Sequence, residues 1–583
     1  MANNKNVIKS VKKEKIRKLI FKMNKNIFAL PSFQRDFVWK PEQKAKLIES
    51  VIRNYPIGTF MLLPYSNNKD LGLNSFVGTD SSKFTPKFYV IDGQQRLRTF
   101  LELLDTPGKF KPTGKIEWGS KEYKIYLKID VNLSKLPSDI SKPSFVISRT
   151  LHSAEEAEDY AQQESEMIMP IEYILSSRYI KKWFKLAFNH HLNNKVKKYR
   201  KCVLEIKNRI SRYQCPVESI SMKLNPEDHT NIFTLLNEGG TDLTTFDLLS
   251  AKLHRESIKL RELWKESRKT YPVFDGYNLD PIYILKVLVL IRKTIREEES
   301  PTCTKRDIER IYYSYYDKDD NILVKEFIND WNMACEYTAK ALESIRSDFG
   351  SPQKKYIPYT PMIMALAALK WFINENEGYS ERYKGTIKRK INRWYWGSIF
   401  KQAYEKASDD KVSKHFAALR KWVAPKKGRK VPNVINFRMS KNEIEQRIEE
   451  IESGGDARYK AILCLPLVNN AKDIYTYDCL ANSILHDHHI YPKRCKEFKH
   501  IEPAELNIIY NRILITDRTN REILNKSPYE YLEDVSPANL RKCFLFKDIV
   551  HKKLSYSKFI KLRKAKIVDY LYSLINWGEI PRI

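Results

Sequence analysis

Apolar residues follow two rhythms along this chain. Short apolar blocks bounded by turn residues occupy much of the first 260 positions, and spacings of three and four dominate after residue 275. In the N-terminal part, Phe28–Pro31 reads as a short extended segment. Gly58–Leu63 (GTFMLL) and Phe88–Ile91 (FYVI) read as buried strands. Residues 1–25, basic and polar, predict a helix with a loose end. Pro41 suits the first turn of a helix that puts Leu47, Ile48, Val51 and Ile52 on one face. After FYVI, the turn pair Asp92-Gly93 precedes a helix with Leu97, Phe100, Leu101 and Leu104 at i, i+3, i+4 and i+7. Gln94-Gln95-Arg96 therefore falls at a strand-to-helix junction. Tyr123–Ile129 and Pro216–Ser221 predict strands, Asn194–Arg212 a basic helix, and Thr244 the N-cap of a helix starting near Thr245. Between 275 and 424 the pattern is helical throughout, over 281–297, 304–316, 323–347, 359–375, 382–405 and 408–423. Pro425–Pro432 (PKKGRKVP) reads as a linker, and the segment from Pro537 onward as helix rich in Lys and Arg. The expected fold class is α+β and multidomain, with domains at 1–260, 261–430 and 431–583.

Length and composition agree with that division. At ~150 residues per domain, 583 residues make three or four domains. Apolar residues are 42% of the chain, enough for real cores, and no Gly/Ser or Pro-rich tract argues for disorder. The formal net charge of +32 predicts a polyanionic partner, nucleic acid above all. A Lys-rich, AT-biased genome would raise the charge as well. The eight cysteines include no CxxC pair, which argues against a disulfide framework or a zinc ribbon. The N-terminal residues lack the apolar core of a secretion signal, and no run approaches the ~20 apolar residues of a membrane span. A cytoplasmic location with no membrane partner is the expectation.

The strongest chemical signal lies near the C-terminus. His488-His489-Ile490-Tyr491-Pro492 is followed by Asn511 and Asn520, with the apolar stretch Ile513–Thr516 between the asparagines. Cutting a phosphodiester needs a base for water and a charge to stabilise the departing 3′ oxygen. A histidine near neutrality supplies the first and a divalent cation the second. This segment, about 480–530, resembles the HNH nucleases, whose ββα-metal fold carries both on one hairpin and one helix. The resemblance implies His489, three residues before Pro492, as general base, with Asn511 orienting its imidazole. It implies His488 and Asn520 as ligands of Mg²⁺ or Mn²⁺, hard ions that accept oxygen donors. His486 and Asp487 are additional candidates without an assigned role. Lys493, Arg494, Arg518 and Arg521 would lie near phosphates, or serve only as solvated charges. A histidine-rich surface loop without metal is the bland alternative.

The second signal is Asp92-Gly93-Gln94-Gln95-Arg96. A strand-to-helix turn offers backbone N–H groups to an anion, and an arginine can fork onto phosphate. Phe33-Gln34-Arg35, DGQQR with Thr99, and Ile232-Phe233 with Asn237-Glu238-Gly239-Gly240 occur in that order. Together they resemble the ParB-like α/β nucleotide-binding domain of the GmrSD type IV restriction enzymes, over about residues 15–255. Ile391–Tyr395 (INRWY) resembles that family's helical spacer. The resemblance implies a nucleotide site at Asp92, Gly93, Gln94, Gln95, Arg96, Arg35 and Thr99, with Asn237 and Gly240 as weaker members. It also implies binding and hydrolysis of a nucleoside triphosphate (GTP, UTP or ATP).

Taken together, the two resemblances imply a phage-defence DNA endonuclease or nickase, metal-dependent and nucleotide-regulated. It would act on DNA according to its modification, whether phage-borne or host-marked. Relatives read glucosylated hydroxymethylcytosine or phosphorothioate, and a homo-oligomer is compatible with this scheme. A DNA-binding or partner-binding regulator with an inactive nuclease is the alternative.

Overall fold

The computed structural model describes residues 8–31, 34, 37, 39–65, 73–105, 123–129, 145–150, 159–188, 194–221, 244–317, 319, 321–376, 381–406, 409–424, 430–551 and 554–581. The expected features at Arg35, Ile232–Gly240 and most of the 425–432 linker lie outside the described residues. The chain forms two compact units, Met1–Leu260 and Arg261–Ile583.

The first unit is built on a mixed six-stranded sheet. Its strands are β1 (Ile8–Lys15), β2 (Phe28–Leu30), β3 (Phe60–Pro64), β4 (Asn74–Ser75), β5 (Phe88–Asp92) and β9 (Gln214–Ile220), in the order β1-β9-β3-β5-β2-β4. A smaller antiparallel sheet runs β7 (Val146–Thr150), β6 (Tyr123–Lys128), β8 (Ile168–Pro170). Helices α1 (Ile16–Asn24), α2 (Pro41–Ile52) and α3 (Gln94–Leu104) bury Leu19, Ile48 and Phe100 in a core shared with Phe28, Phe60 and Val90. A charged network is sealed within it. Lys44, 2% exposed, reaches Glu102 at 2.5 Å and the Tyr123 hydroxyl at 2.7 Å, and Arg98 meets the other Glu102 oxygen at 2.9 Å. Each charge has a partner, which is the condition for keeping charge in a core.

Residues 8–15 correct the expectation of an N-terminal helix. They form β1, antiparallel to β9 some two hundred residues later. The segment IKSVKKEK has weak local preference, and the hydrogen bonds offered by the edge of β9 decide its conformation. Val11, facing solvent at 62% exposure, shows that apolar burial does not drive this strand.

The second unit begins with helices. After α4 (Ser177–Ala187), α5 (Asn194–Arg212) and α6 (Thr245–Arg255) of the first unit come α7 (Ile282–Ile295), α8 (Val324–Ser347), α9 (Met362–Asn374), α10 (Glu381–Phe400) and α11 (Asp409–Val423). Helix α9 (MIMALAALKWFIN) is apolar nearly all round because α7, α8 and α11 pack against it. The expected helix 304–316 stops at Arg310 and tightens into a 3₁₀ turn over Ile311–Tyr315. Arg292 and Arg296 both donate to the Ser314 carbonyl there, at 2.8 and 2.7 Å, satisfying a group that a longer helix would use itself. Further on, the histidines lie on β10 (Leu485–His489), which pairs antiparallel with β11 (Arg512–Thr516) and is followed by α12 (Asp517–Ile523). The last helix, α13 (Tyr556–Asn576), packs along α10. The helical segment and the histidine-bearing segment thus lie in one compact unit.

Candidate active site

Strand alternation sends His486 and His488 to one face of β10 and Asp487 and His489 to the other. In register, His488 lies opposite Ile513 and His489 opposite Arg512. Behind the hairpin sits an aromatic core of Tyr491, Phe498, Tyr529 and Phe559. Tyr491 is fully buried, and its hydroxyl donates to the Leu554 carbonyl at 2.9 Å. The Tyr531 hydroxyl donates to the Ile490 carbonyl at 2.7 Å. The chain leaving the histidines is therefore anchored on both sides.

Among the described residues no hydrogen bond joins Asn511 to the His489 ring. It is fully buried and spends its amide on backbone. Its Oδ1 accepts from the Tyr491 N–H at 2.8 Å, and its Nδ2 donates to the carbonyls of Tyr491 (3.0 Å) and Leu506 (2.9 Å). It clamps the two ends of the long β10–β11 connection. A carboxamide suits this because it both accepts and donates.

The ring of His489 is held by Asn507 instead. His489 Nε2 lies 3.3 Å from Asn507 Oδ1, and the same oxygen accepts from Arg512 Nη2 at 2.6 Å. A guanidinium can only donate, so this atom of Asn507 is the acceptor and Nε2 carries the ring proton. The lone pair is left on Nδ1. Arg512 is itself aimed by Asp487, at 3.4 Å, and Asp487 accepts from the Tyr459 hydroxyl at 2.5 Å. Burial, then the charge of Arg512, pushes the His489 ring down to about 4, so it is neutral at pH 7.

His488 is buried, 9% exposed, and its pKa is also lowered, first by burial. The Asn520 side chain on α12 lies beside the ring and partly offsets that lowering. Its buried Nε2 has no hydrogen-bond partner among the described residues. A neutral buried imidazole with an orphaned nitrogen beside a carboxamide suits a divalent cation. Among the described residues no group of three or more His, Cys, Asp or Glu comes together. The pair therefore suits an ion that keeps several of its waters, as Mg²⁺ does.

Helix α12 is set in place by Asp473, which carries no motif in the sequence. Fully buried, it accepts from the N–H groups of Thr516 (2.7 Å), Tyr475 and Thr476 (both 2.9 Å) and from the Thr519 hydroxyl. Burial would raise its pKa, but these hydrogen bonds outweigh burial and hold it below the usual carboxylate range. His486 pairs with Asp517 at 3.0 Å, and Asp517 also meets Arg521 at 2.7 Å. Lys493, Arg494, Arg518 and Arg521 are exposed.

In the first unit, DGQQR spans the end of β5 and the start of α3. Gly93 sits at the helix N-cap with φ +94°, and a Cβ there would come within 2.4 Å of the Phe60 ring. Only glycine meets both demands. Gly93 has no side chain with which to cap α3. Arg96 is turned inward, away from the phosphate role expected of it. It donates to the carbonyls of Ile57 (2.5 Å) and Thr59 (2.9 Å), pairs with Asp92 at 2.7 Å and lies over the Phe60 ring. This holds the 57–60 turn, where Gly58 has φ +82° and a Cβ would meet the guanidinium at 2.5 Å. Thr99 is likewise inward, fully buried with its hydroxyl on the Gln95 carbonyl at 2.8 Å. Gln95 is buried, and its Oε1 accepts from the Trp39 N–H at 3.3 Å. Gln34 reaches the end of β5 as well. Its Nε2 donates to the carbonyls of Val90 (2.8 Å) and Ile91 (3.2 Å), while its buried Oε1 has no partner among the described residues. Asp92 and Gln94 remain at the rim.

Residues 16–254 match the N-terminal domain of the GmrSD restriction endonuclease. The chain is also similar to an uncharacterized protein, MJ0686, of Methanocaldococcus jannaschii. The two are 27% identical over 540 residues, covering 89% of this chain and 86% of that one. That similarity extends across both compact units.

Proposed function

We propose that this chain is a restriction-type DNA endonuclease or nickase of phage defence, a reading supported by the match of residues 16–254 to the GmrSD restriction endonuclease N-terminal domain. The observation that carries the reading is the pair of neutral histidines on β10. His489 presents an Nδ1 with no hydrogen-bond partner among the described residues, and its Nε2–H is held by Asn507. His488 presents an orphaned Nε2 beside Asn520.

In this scheme His489 Nδ1 takes the proton of the attacking water. Asn507 fixes the tautomer and the ring plane, and it stabilises the imidazolium that forms by accepting from Nε2–H. Arg512, tied to both Asn507 and Asp487, keeps that oxygen in place. His488 and Asn520 would hold the divalent cation, which when bound neutralises charge on the scissile phosphate and the leaving oxygen. Asn511 acts through the backbone, keeping the loop after His489 closed.

The first unit is the regulatory half of the proposal. A nucleoside triphosphate would place phosphate at the start of α3, with Asp92 and Gln94 at the rim. Arg96 holds the adjoining turn rather than the phosphate, and Thr99 packs the helix. Nucleotide and DNA modification would each bias the nuclease by binding its idle and active arrangements differently.

The test is plasmid cleavage with Mg²⁺ on unmodified, phosphorothioated and glucosyl-hydroxymethylcytosine DNA, with and without nucleoside triphosphates. Cutting confined to one modified DNA identifies the signal. Cutting that ignores modification removes the modification-reading part, and absence of cutting on every substrate returns the chain to a binding role.

A further inference from the structure

The second unit contains a cavity of about 610 Å³, apart from the histidines. Helix α10 lines one wall with Arg389, Lys390 and Arg393. Lys430 and Arg438 stand on the following segment, and Trp422 and Trp577 supply two indole faces. Among the described residues the lining contains no Asp or Glu. Lys390 and Arg393 lie over the buried Trp422 ring at 5.5 and 5.1 Å, and Arg438 lies 5.9 Å from the centre of the Trp577 ring. Arg389 reaches a carboxylate only at 3.7 Å, the exposed Glu579. Arg393 and Arg438 make no ion pair with a carboxylate among the described residues. The pKa of Arg393 is lowered by burial and then by Arg438, as expected where cations crowd without a counter-charge.

This concentration of cations is costly and is held in place by specific packing. Gly578 ends α13 with φ +69°, and a Cβ there would overlap the Arg389 carbonyl, at 1.9 Å. Asn392 donates to the Gly578 carbonyl at 3.0 Å. The backbone of the last turn thus rests directly on α10, and Trp577, 54% exposed, is left beside the cavity. A large apolar ring exposed beside Arg438, which makes no ion pair among the described residues, has no benefit for folding, because burying it or adding a carboxylate would both stabilise the unit.

We infer that this cavity is a binding site for a single strand of nucleic acid, its phosphates on Arg389, Arg393, Lys430 and Arg438 and a base stacked on Trp577. Arg389 and Arg393 are one helical turn apart, about 6 Å along the axis, so they meet successive groups along a strand rather than converging on one. A free nucleoside triphosphate would ask for a glycine-rich nest, a helix N-terminus or a carboxylate for its magnesium, and the lining offers none. Cationic grooves with stacking aromatics are the general solution for unpaired strands. The inference rests on the nuclease reading only for the identity of the partner as DNA.

The experiment is fluorescence anisotropy of a labelled 12-nucleotide single strand with the full chain in EDTA, so that cutting plays no part. Wild type is compared with Trp577→Ala and Arg438→Ala, both at exposed positions, and with Lys325→Ala, an exposed cation outside the cavity, as control. Thermal melts confirm folding. Trp577→Ala weakens binding about five-fold or more. Arg438→Ala weakens it and lowers the slope of log K against log salt by ~0.7. Lys325→Ala has little effect. Unchanged affinity and salt slope in both cavity variants overturn the site. Competition by ATP as strong as by the unlabelled strand, at equal nucleotide concentration, overturns the strand and assigns a mononucleotide. An inactive nuclease would still pass this test, so the two readings fail separately.

Discussion

Replacing Asn511 by alanine separates a clamp from a catalytic group. The side chain is wholly buried and makes three hydrogen bonds, all to backbone. Its removal leaves the N–H of Tyr491 and the carbonyls of Tyr491 and Leu506 without those partners, inside a packed core. Each orphaned buried group costs about 1–3 kcal/mol, and the costs are not fully additive because the loop relaxes. A loss of about 3–5 kcal/mol is expected, which lowers the thermal midpoint of the second unit by roughly 5 °C or more. Asn511→Asp should be no better, since a buried carboxylate can accept from Tyr491 but cannot donate to two carbonyls. Differential scanning calorimetry measures the midpoint, and a metal-dependent nicking assay well below it measures cleavage. Reduced stability with residual cleavage at low temperature is the expected outcome. If Asn511→Ala melts like wild type yet cuts nothing, Asn511 takes part directly in the chemistry and the clamp account is wrong.

His489→Ala should reduce single-turnover cleavage by about 10²–10⁴-fold while leaving DNA affinity in EDTA unchanged; cutting at the wild-type rate removes the base assignment. Asn507→Ala, at an exposed loop position, should lower the cleavage rate about ten-fold or more with little change in melting, because the ring loses the acceptor that fixes its tautomer; an unchanged rate would show that the contact is idle. Gly93→Ala forces a left-handed φ on alanine and drives its Cβ into Phe60, so the first unit should lose more than about 1 kcal/mol, and an unaltered melt would contradict that geometry. His415 gives a pH dependence. Burial, then Lys411, lowers its pKa to about 4, and its Nδ1 faces the Tyr404 hydroxyl at 2.5 Å with Phe437 alongside. A folded pKa below the unfolded 6.5 means the unfolded chain binds the proton more tightly. The stabilisation is complete above about pH 6.5 and declines by about 3 kcal/mol as the pH falls to 4. His415→Gln should flatten that part of the curve in chemical denaturation, and an identical curve would show that His415 is not the group responsible.

Much of the architecture was legible because local pattern and tertiary need coincide. Leu97, Phe100, Leu101 and Leu104 mark one face of α3, and all four are buried in the core. The basic helix expected over Asn194–Arg212 has those limits in the structure. The apolar stretch Ile513–Thr516 announced β11, and the helix carrying Asn520 follows it directly. What escaped the pattern depends on distant partners. Residues 8–15 carry too few apolar side chains to declare a strand, and only the free edge of β9 makes them one. Asp473 sits in no motif, because its partners are backbone N–H groups that converge after folding.

The division of labour is sharpest at the two asparagines that bracket β11's approach. Sequence by itself determined which residue types are present and which local elements carry them: the histidines on a strand, the glycine between β5 and α3, the surplus of positive charge. Spacing cannot say which of Asn507 and Asn511 meets the imidazole, because that depends on how the long connection between β10 and β11 closes and not on position along it. Tertiary structure decided it by burying Asn511, where the unpaired backbone of Tyr491 and Leu506 demands all of its hydrogen bonds, and by leaving Asn507 at the surface beside the ring. It likewise turned Arg96 inward, because the carbonyls of Ile57 and Thr59 would otherwise lack those donors. The physical reason is common to both. A buried backbone group must be paired, and the nearest competent side chain is recruited for it whatever its motif suggests.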